Sequence, residues 1–188
     1  MQDTIIWKWT ADGAYSTSLV YRIQFRGSHR KFQHELIWKA RSENKCKIHA
    51  WILMHDKILT ADNLQKRGWP HQEHCILCNG PLETGLHLSL LCPFARAVWD
   101  QVLSWENFTV HLSQQDPTCI AKWWEEAASK VPKQDRRRFS GVLIYIVWNL
   151  WKERNRRIFE NGYRTVQQVA SLIKEDIVQR RRAVSFVG

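Results

Sequence analysis

The sequence lacks a long apolar run: no stretch approaches the roughly 18 residues that a membrane-spanning helix needs. It also lacks the charged start and apolar core of a signal peptide, because the chain opens with Met1-Gln2-Asp3-Thr4. No segment repeats and no tract is of low complexity. These absences exclude a membrane protein and a repeat array, and they predict an intracellular protein, nuclear or cytoplasmic.

Acidic residues are few compared with basic ones. The chain has 18 Asp and Glu against 28 Lys and Arg, which gives a formal net charge of +10 over 188 residues. Such an excess favours a polyanionic partner, nucleic acid first, because Lys and Arg that neutralise phosphates release condensed counterions. The alternative is a basic surface that is merely solvated. Hydrophobic residues at 44% are in the usual range for a globular protein and predict a folded chain.

Tryptophan, by contrast, is abundant, with 11 residues. Most of these side chains are expected to pack in the core, and a minority could form stacking platforms for bases or anchors for a protein partner. The five cysteines are predicted to be metal ligands or buried thiols, because a disulfide framework is not expected inside the cell.

Apolar residues recur at helical spacing along most of the chain, which predicts a mainly α-helical fold. The segments predicted to be helical are residues 31–40, 45–59 and 60–67, a helix that begins at Pro93, residues 120–130 and 135–161, and a last helix after Thr165. The turn signal Asp12-Gly13 between two aromatic-rich runs predicts a small N-terminal β-hairpin. The second run could instead lead into a helix, because Ser16-Thr17-Ser18 offers N-cap residues. A linker is predicted around residues 107–117.

The pattern Cys75-x2-Cys78-x8-His87-x4-Cys92 is the strongest chemical signal in the sequence. It supplies three thiolates and an imidazole within a short segment, which is the ligand set that tetrahedral zinc requires. The sequence therefore predicts one structural zinc ion in a knuckle over residues 75–92 that lies between helices. Four protein ligands leave no open position for water, so catalysis by this zinc is not expected.

Other potential ligands lie close to this pattern or elsewhere in the chain. His74 adjoins Cys75 and is the main alternative ligand. Cys46 and Cys119 lie outside the pattern and are predicted to be buried thiols. Unliganded buried thiols are the alternative to the whole site.

Short motifs accompany the four ligands along nearly the whole chain. They are Trp7 with Asp12-Gly13-x-Tyr15-Ser16 and Tyr21, Ile37-Trp38-Lys39, Lys47 with Trp51, Leu59-Thr60-x-Asp62-x-Leu64, Arg67-Gly68, Glu83-Thr84-x2-His87-Leu88, Cys92-Pro93-Phe94-Ala95, Trp99, and Trp148-x2-Trp151-Lys152-x-Arg154-Asn155-x2-Ile158-Phe159. Together these motifs resemble the zinc-binding domain at the C-terminal end of plant non-LTR (LINE-type) retroelement reverse transcriptases, and the last of them resembles the segment that follows that domain.

The resemblance implies a zinc-stabilised accessory domain that engages element RNA or target DNA. Residues 1–105 correspond to the zinc-binding domain, and residues 118–188 are predicted to form a helical region packed on it. No polymerase is expected, because the sequence has no Tyr-x-Asp-Asp turn, Walker loop, His-Glu-x-x-His helix or evident acidic nuclease set. The chain starts where that domain starts, which predicts a fragment of such an element or a host gene derived from one.

Three basic clusters in the C-terminal half are the candidates for nucleic-acid binding. They are Arg136-Arg137-Arg138, then Lys152, Arg154, Arg156 and Arg157 beside Trp151, and finally Arg180-Arg181-Arg182. Arg154 and Arg157 share a helix face near Trp151, which suits phosphate contact with base stacking. The structural alternative is a solvated face whose charge complements the helix dipole.

Two functions follow from these patterns. The first is a non-catalytic domain that binds RNA or DNA through basic helices. The alternative is a protein-interaction module that exposes tryptophans, either Trp123-Trp124 or Trp148 with Trp151.

Overall fold

The structure is a computed structural model that describes residues 33–108 and 117–185. These ranges contain seven α-helices and a π-helical segment, and they contain no β-strand. The elements are α1 (Glu35–Trp38), α2 (Asn44–Met54), α3 (Ala61–Gln65), the π-helical segment (His87–Leu91), α4 (Pro93–Trp105), α5 (Ile120–Ser129), α6 (Arg136–Phe159) and α7 (Val166–Ser185). The predicted mainly α-helical fold is confirmed. The predicted β-hairpin and most of the predicted linker lie outside the described residues.

Helix boundaries match the sequence pattern well in the C-terminal half and less well before it. The helices predicted over residues 120–130 and 135–161 correspond to α5 and α6. The helix predicted over residues 45–59 ends at Met54, because Asp56 adopts a left-handed backbone with φ of 55° that no α-helix continues through. The π-helical segment has no counterpart among the predicted elements.

Helix α6 lies at the centre of the fold and contacts α1, α2, α4, α5 and α7. Every residue from position 139 to 147 is buried, and none of them is charged. A helix segment that is apolar on all sides is stable only when neighbours cover all of its faces, which is what this arrangement provides. No described helix is both long enough and apolar enough to cross a membrane.

Tryptophans fill the space between α4 and α5. Trp99 and Trp124 have no exposed surface, and the ring of Trp123 meets that of Trp99 edge to face with a centroid distance of 5.3 Å. The indole N–H of Trp99 donates to the carbonyl oxygen of Ser89 at 2.6 Å. This bond satisfies the buried donor and ties α4 to the π-helical segment.

The segment between α1 and α2 lies directly on α6 at Gly141. A Cβ atom at Gly141 would lie 2.8 Å from the carbonyl oxygen of Arg41, closer than real Cβ atoms approach a backbone. In the same place the Arg41 N–H donates to the carbonyl of Arg137 at 3.2 Å. Only glycine allows this approach, so residue 141 fixes the position of Arg41 over the first half of α6.

Candidate metal centre and basic clusters

Four side chains converge between the segment that follows α3 and the start of α4. The ligand atoms of Cys75, Cys78, His87 and Cys92 all lie within 4.8 Å of one another. Cys78 Sγ is 3.3 Å from His87 Nε2. Cys75 and Cys92 have no exposed surface, so the cluster is closed on its inner side.

The first two ligands are presented by a tight turn. The N–H of Asn79 donates to the carbonyl of Cys75 at 2.7 Å, and Asn79 has a φ of 55°, a left-handed conformation that asparagine tolerates. At Gly80 an added Cβ would lie 3.1 Å from Cys78 Sγ. A residue with a side chain would therefore crowd the thiol that must face the metal.

The last two ligands stand at the two ends of the π-helical segment. The N–H of His87 donates to Thr84 Oγ1 at 3.0 Å, which fixes the start of the segment. Cys92 is the N-cap residue of α4, whose first residue is Pro93. The free N–H groups and positive end of a helix stabilise a thiolate at this position.

The pKa values of the three thiols differ, because groups packed this closely do not all carry a negative charge easily without a cation. The pKa of Cys75 is raised to about 12, first because its thiol hydrogen-bonds to Cys92 and second because it is buried. The same hydrogen bond lowers the pKa of Cys92, whereas burial raises the pKa of Cys78. Three thiolates packed this closely therefore need a divalent cation to neutralise them.

The donor set fits one zinc ion. Zinc–sulfur bonds of about 2.3 Å place tetrahedral donors roughly 3.8 Å apart, which agrees with donors that all lie within 4.8 Å of one another. Because all four ligands come from the protein, the ion has no open position for a reacting water and its role is structural. One zinc ion is the cofactor of this centre.

The other candidate ligands do not join the centre. In the described ranges, the quartet is the only group of three or more residues that could hold a metal. His74 is exposed, with its Nδ1 3.1 Å from the carbonyl of Gly80. Cys46 is buried and its pKa is raised to about 12 by that burial, and Cys119 is partly buried.

The basic residues at the C-terminal end of α6 face the zinc centre. We call Lys152, Arg154, Arg156 and Arg157 the zinc-side cluster. The Arg157 guanidinium donates to the carbonyls of Ile76 and Leu77 at 3.2 and 3.1 Å. These are the two residues between the first two zinc ligands, so Arg157 holds the knuckle against α6.

Arg154 forms a buried ion pair within the protein. Its guanidinium contacts the carboxylate of Glu83 at 3.0 Å, and the two side chains are only 4% and 2% exposed. Glu83 also accepts the N–H of Ala61, the first residue of α3, at 3.3 Å. Burial raises the pKa of Glu83 and Arg154 opposes that rise, so the carboxylate depends on its partner for charge compensation.

This geometry corrects the prediction that Arg154 and Arg157 form a phosphate-binding face. Their side chains are 4% and 9% exposed, and both guanidiniums are taken up by internal acceptors. Lys152 lies 3.7 Å from Asp176, and Arg156 pairs with Glu160 at 3.0 Å. Trp151 is partly buried against His49, with a centroid distance of 5.7 Å, and is not an open stacking platform.

The two arginine triplets, residues 136–138 and 180–182, meet at one buried carboxylate. Glu106 is 4% exposed and accepts hydrogen bonds from Arg138 at 2.9 Å and from Arg181 at 2.7 Å. The Arg136 guanidinium donates a hydrogen bond to the carbonyl of Val131 at 3.1 Å. The structure thus brings together the two triplets, which are far apart in sequence, and separates them from the zinc-side cluster.

The tryptophans proposed for a protein interface do not form an exposed patch. Trp123 and Trp124 are 5% and 0% exposed, and Trp148 and Trp151 are partly buried against the core. The exposed aromatic beside the arginine triplets is Trp105, at 37%. Its ring centroid lies 5.3 Å from the ammonium of Lys174 and 5.9 Å from the guanidinium carbon of Arg181.

Sequence reasoning missed the acidic residues that decide which arginines are available. Glu83 pairs with a residue 71 positions away, and Glu106 with one 75 positions away. Neither glutamate belongs to a periodic pattern that would indicate its partner. Of the two glutamates, only Glu83 belongs to a motif that the sequence analysis identified, Glu83-Thr84.

Comparison with known proteins agrees with the metal centre. Residues 15–99 match the family described as zinc-binding in reverse transcriptase. The matched range contains all four zinc ligands, and the resemblance seen in the sequence is confirmed over it.

One relative aligns with nearly the whole chain. A protein of Arabidopsis thaliana that bears the name "Putative ribonuclease H protein" is 23% identical over 189 residues, which is 98% of this chain and 30% of the relative. The chain therefore spans about 30% of that relative's length. No solved structure matches the chain.

Proposed function

We propose that this chain, whose residues 15–99 match the family described as zinc-binding in reverse transcriptase, is a non-catalytic accessory domain that binds single-stranded RNA or DNA. The observation that carries the proposal is the meeting of the two arginine triplets on one surface around Glu106. One arginine of each triplet, Arg138 and Arg181, pairs with this carboxylate, whose single negative charge is far smaller than the charge of the six arginines of the two triplets. The remaining positive charge attracts a polyanion and gains free energy from counterion release.

An exposed aromatic beside this charge strengthens the proposal. Trp105 is 37% exposed, immediately precedes Glu106 in the chain, and lies within cation–π distance of Lys174 and Arg181. Single-strand binding surfaces combine such a basic track with aromatic rings on which bases stack. Trp105 replaces Trp151 as the stacking residue that we propose.

The zinc ion stabilises this surface from a distance. Arg157 and the Arg154–Glu83 pair fasten the knuckle to the same helix, α6, whose other end carries the first triplet. In the described residues, the zinc quartet is the only cluster of potential metal ligands, which supports a non-catalytic role because two-metal nuclease chemistry uses a set of acidic ligands. We propose that the ribonuclease H activity named for the relative does not reside here.

Salt dependence of oligonucleotide binding tests the proposal. Affinity for a fluorescein-labelled 20-mer of uridine or thymidine should fall with salt, with a slope of about −2 if three phosphates are contacted. The double variant Arg137→Ala/Arg182→Ala removes two exposed arginines of the triplets and should flatten the slope by up to about 1.4. The control Lys122→Ala/Lys130→Ala removes two exposed lysines of the α5 region and should leave the slope nearly unchanged.

Further measurements separate this proposal from the alternatives. Trp105→Ala should weaken binding by roughly 1 to 3 kcal/mol without a change in slope, because stacking carries no charge. Binding that is weak, lost by physiological salt and indifferent to Trp105 would overturn the proposal in favour of a protein partner. Cleavage of an RNA–DNA hybrid by the purified chain would overturn the non-catalytic role.

A further inference from the structure

The surface where the triplets meet contains a recess of about 160 Å³. Four arginines line it, and they come from three separate parts of the chain: the segment after α1, the first turn of α6 and the last turns of α7. They are Arg41, Arg138, Arg180 and Arg181, and Gly141 and Ile177 lie between them.

Two of the four guanidiniums, those of Arg41 and Arg180, make no ion pair with any residue in the described part of the chain. The Nε atom of Arg180 is also buried without a hydrogen-bond partner. A buried N–H donor with no acceptor costs free energy, so this geometry favours an acceptor supplied from outside.

The nearby carboxylates do not supply that acceptor. Glu106 is occupied by Arg138 and Arg181, and Glu43 accepts the hydroxyl of Tyr145 at 2.6 Å. Asp135 approaches Arg138 only at 3.7 Å and is 40% exposed. Guanidinium groups therefore outnumber carboxylates around the recess, and the carboxylates are directed to other partners.

The recess is held in place by backbone contacts. Arg41 is fixed on α6 by the hydrogen bond to Arg137 and by the close approach at Gly141. On the opposite side, Ile177 of α7 is 4% exposed and packs into the core. A site whose walls are already positioned loses little entropy when it binds a ligand.

We infer that this recess binds one phosphate group. Guanidinium groups match a phosphate with paired N–H···O bonds, and a phosphate would satisfy Arg41 and Arg180 together. The inference rests on the proposed function in that it takes the phosphate to be one of a polynucleotide backbone. Arg41, which lies outside both triplets, thereby joins the binding surface.

The test uses the full chain with two probes, a labelled thymidine 20-mer and inorganic phosphate. Arg41→Ala and Arg180→Ala should each weaken binding of the 20-mer roughly tenfold, because each removes a charge-assisted hydrogen bond. Together they should flatten the salt slope by about 0.7, the value for one phosphate. The matched control Arg67→Ala removes an exposed arginine that does not line the recess and should weaken binding less than about threefold.

The inorganic phosphate arm identifies the source of the ligand. Phosphate, compared with chloride at equal ionic strength, should raise the melting temperature of the parent chain but not of Arg41→Ala/Arg180→Ala. Arg41→Lys keeps the charge without the paired bonds and should weaken 20-mer binding less than Arg41→Ala does. Unchanged circular dichroism and zinc content show that each variant is folded.

The outcomes separate the inference from the proposed function. If the 20-mer binds the parent chain but Arg41→Ala and Arg180→Ala behave like Arg67→Ala, the recess is overturned and the proposed function stands. If the 20-mer does not bind but phosphate stabilises the parent through these two arginines, the recess stands as a site for a small phosphate compound and the proposed function falls. If neither probe is sensitive to Arg41 and Arg180, the inference is wrong.

Discussion

The two ends of helix α6 carry basic clusters that look alike in sequence and differ in structure. At the C-terminal end, Arg154 and Arg157 are nearly inaccessible and bond to Glu83, Glu153 and the zinc knuckle. At the N-terminal end, the first arginine triplet meets the second around Glu106 and borders a recess where Arg41 and Arg180 lack internal partners. One cluster stabilises the fold, and the other is available for a ligand.

The difference lies in how deeply the arginines themselves are buried, because the side chains of Glu83, Glu153 and Glu106 are all 2% exposed. Arg154 and Arg157 are 4% and 9% exposed and have given up water to reach their partners, whereas Arg138 and Arg181 are 34% and 46% exposed. At the other end, Arg138 and Arg181 share the single buried carboxylate of Glu106. Arg41 and Arg180 beside them make no ion pair with any described residue. A basic run therefore indicates a ligand surface only where its guanidiniums stay exposed and are not taken up by buried acceptors of the protein.

Zinc removal should have the largest effect, and it should act first at the zinc end. Binding of a structural zinc ion contributes of order 10 kcal/mol in small zinc peptides. We expect chelation, or Cys78→Ser, to unfold at least residues 71–105 and to release Arg157 from the knuckle. Hydrogen exchange and elemental analysis measure this, with Cys119→Ser as the control outside the quartet. Well under one zinc per folded chain, or parent-like melting of Cys78→Ser, would contradict the site.

Loss of Arg154 should be the most damaging single arginine substitution. Arg154→Ala leaves the Glu83 carboxylate buried without its counter-charge, and breaking a buried pair in this way costs about 3 to 5 kcal/mol. Arg137→Ala, on the exposed face of the same helix, should change the unfolding free energy by less than about 0.5 kcal/mol. Urea denaturation compares the two. Equal effects would remove the distinction between the two ends of α6.

Acid should destabilise the zinc-side half of α6 through His49, which packs against Trp148 and Trp151. Burial lowers the pKa of His49 from 6.5 to about 4. Its contribution to stability is therefore present above pH 6.5 and is lost as the pH falls toward 4, because the unfolded chain takes up the proton first.

The expected loss between pH 6.5 and pH 5 is about 2 kcal/mol, since one unit of pKa shift is worth about 1.4 kcal/mol. His49→Phe should remove this part of the pH dependence. The comparison of parent and variant by urea denaturation separates it from protonation of the zinc ligands, which both proteins share. Parallel pH profiles would show that His49 does not contribute.

A smaller effect is expected at the recess. Gly141→Ala places a Cβ 2.8 Å from the Arg41 carbonyl, and this overpacking should exceed the gain in helix propensity, with a net cost of about 1 kcal/mol. It should also shift Arg41 and weaken oligonucleotide binding. At Gly162 an added Cβ meets mainly the flexible side chain of Arg156, so Gly162→Ala should be nearly neutral. Thermal melts that show equal stability for the two variants would mean that Gly141 is not needed for the approach.

The zinc ligands and most helices could be predicted from local sequence patterns. The Cys-x2-Cys pair with His87 and Cys92 lies within one short segment, and helical periodicity identified α5 and α6 closely. The end of α2 was missed because a left-handed Asp56 leaves no periodic signal.

The role of each arginine could not be predicted in the same way. It depends on contacts between distant residues, such as Arg154 with Glu83 and Arg181 with Glu106, which no local pattern encodes. Arg41 is the opposite case, a residue of the proposed binding surface that no basic cluster in the sequence indicated. It is a lone arginine in sequence, and only the approach at Gly141 brings it to the triplets. The division into residues 1–105 and 118–188 stays a prediction.

Arginine-selective modification by phenylglyoxal, read by peptide mass spectrometry with and without a thymidine 20-mer, compares the accessibility of the arginines at the two ends of α6. We expect Arg41 and Arg180 to be modified in the free protein and protected by the oligonucleotide. We expect Arg154 and Arg157 to resist modification in both samples and to react only after zinc is chelated. Modification of Arg154 and Arg157 in the native protein that the oligonucleotide suppresses, with Arg41 and Arg180 unaffected, would contradict these expectations.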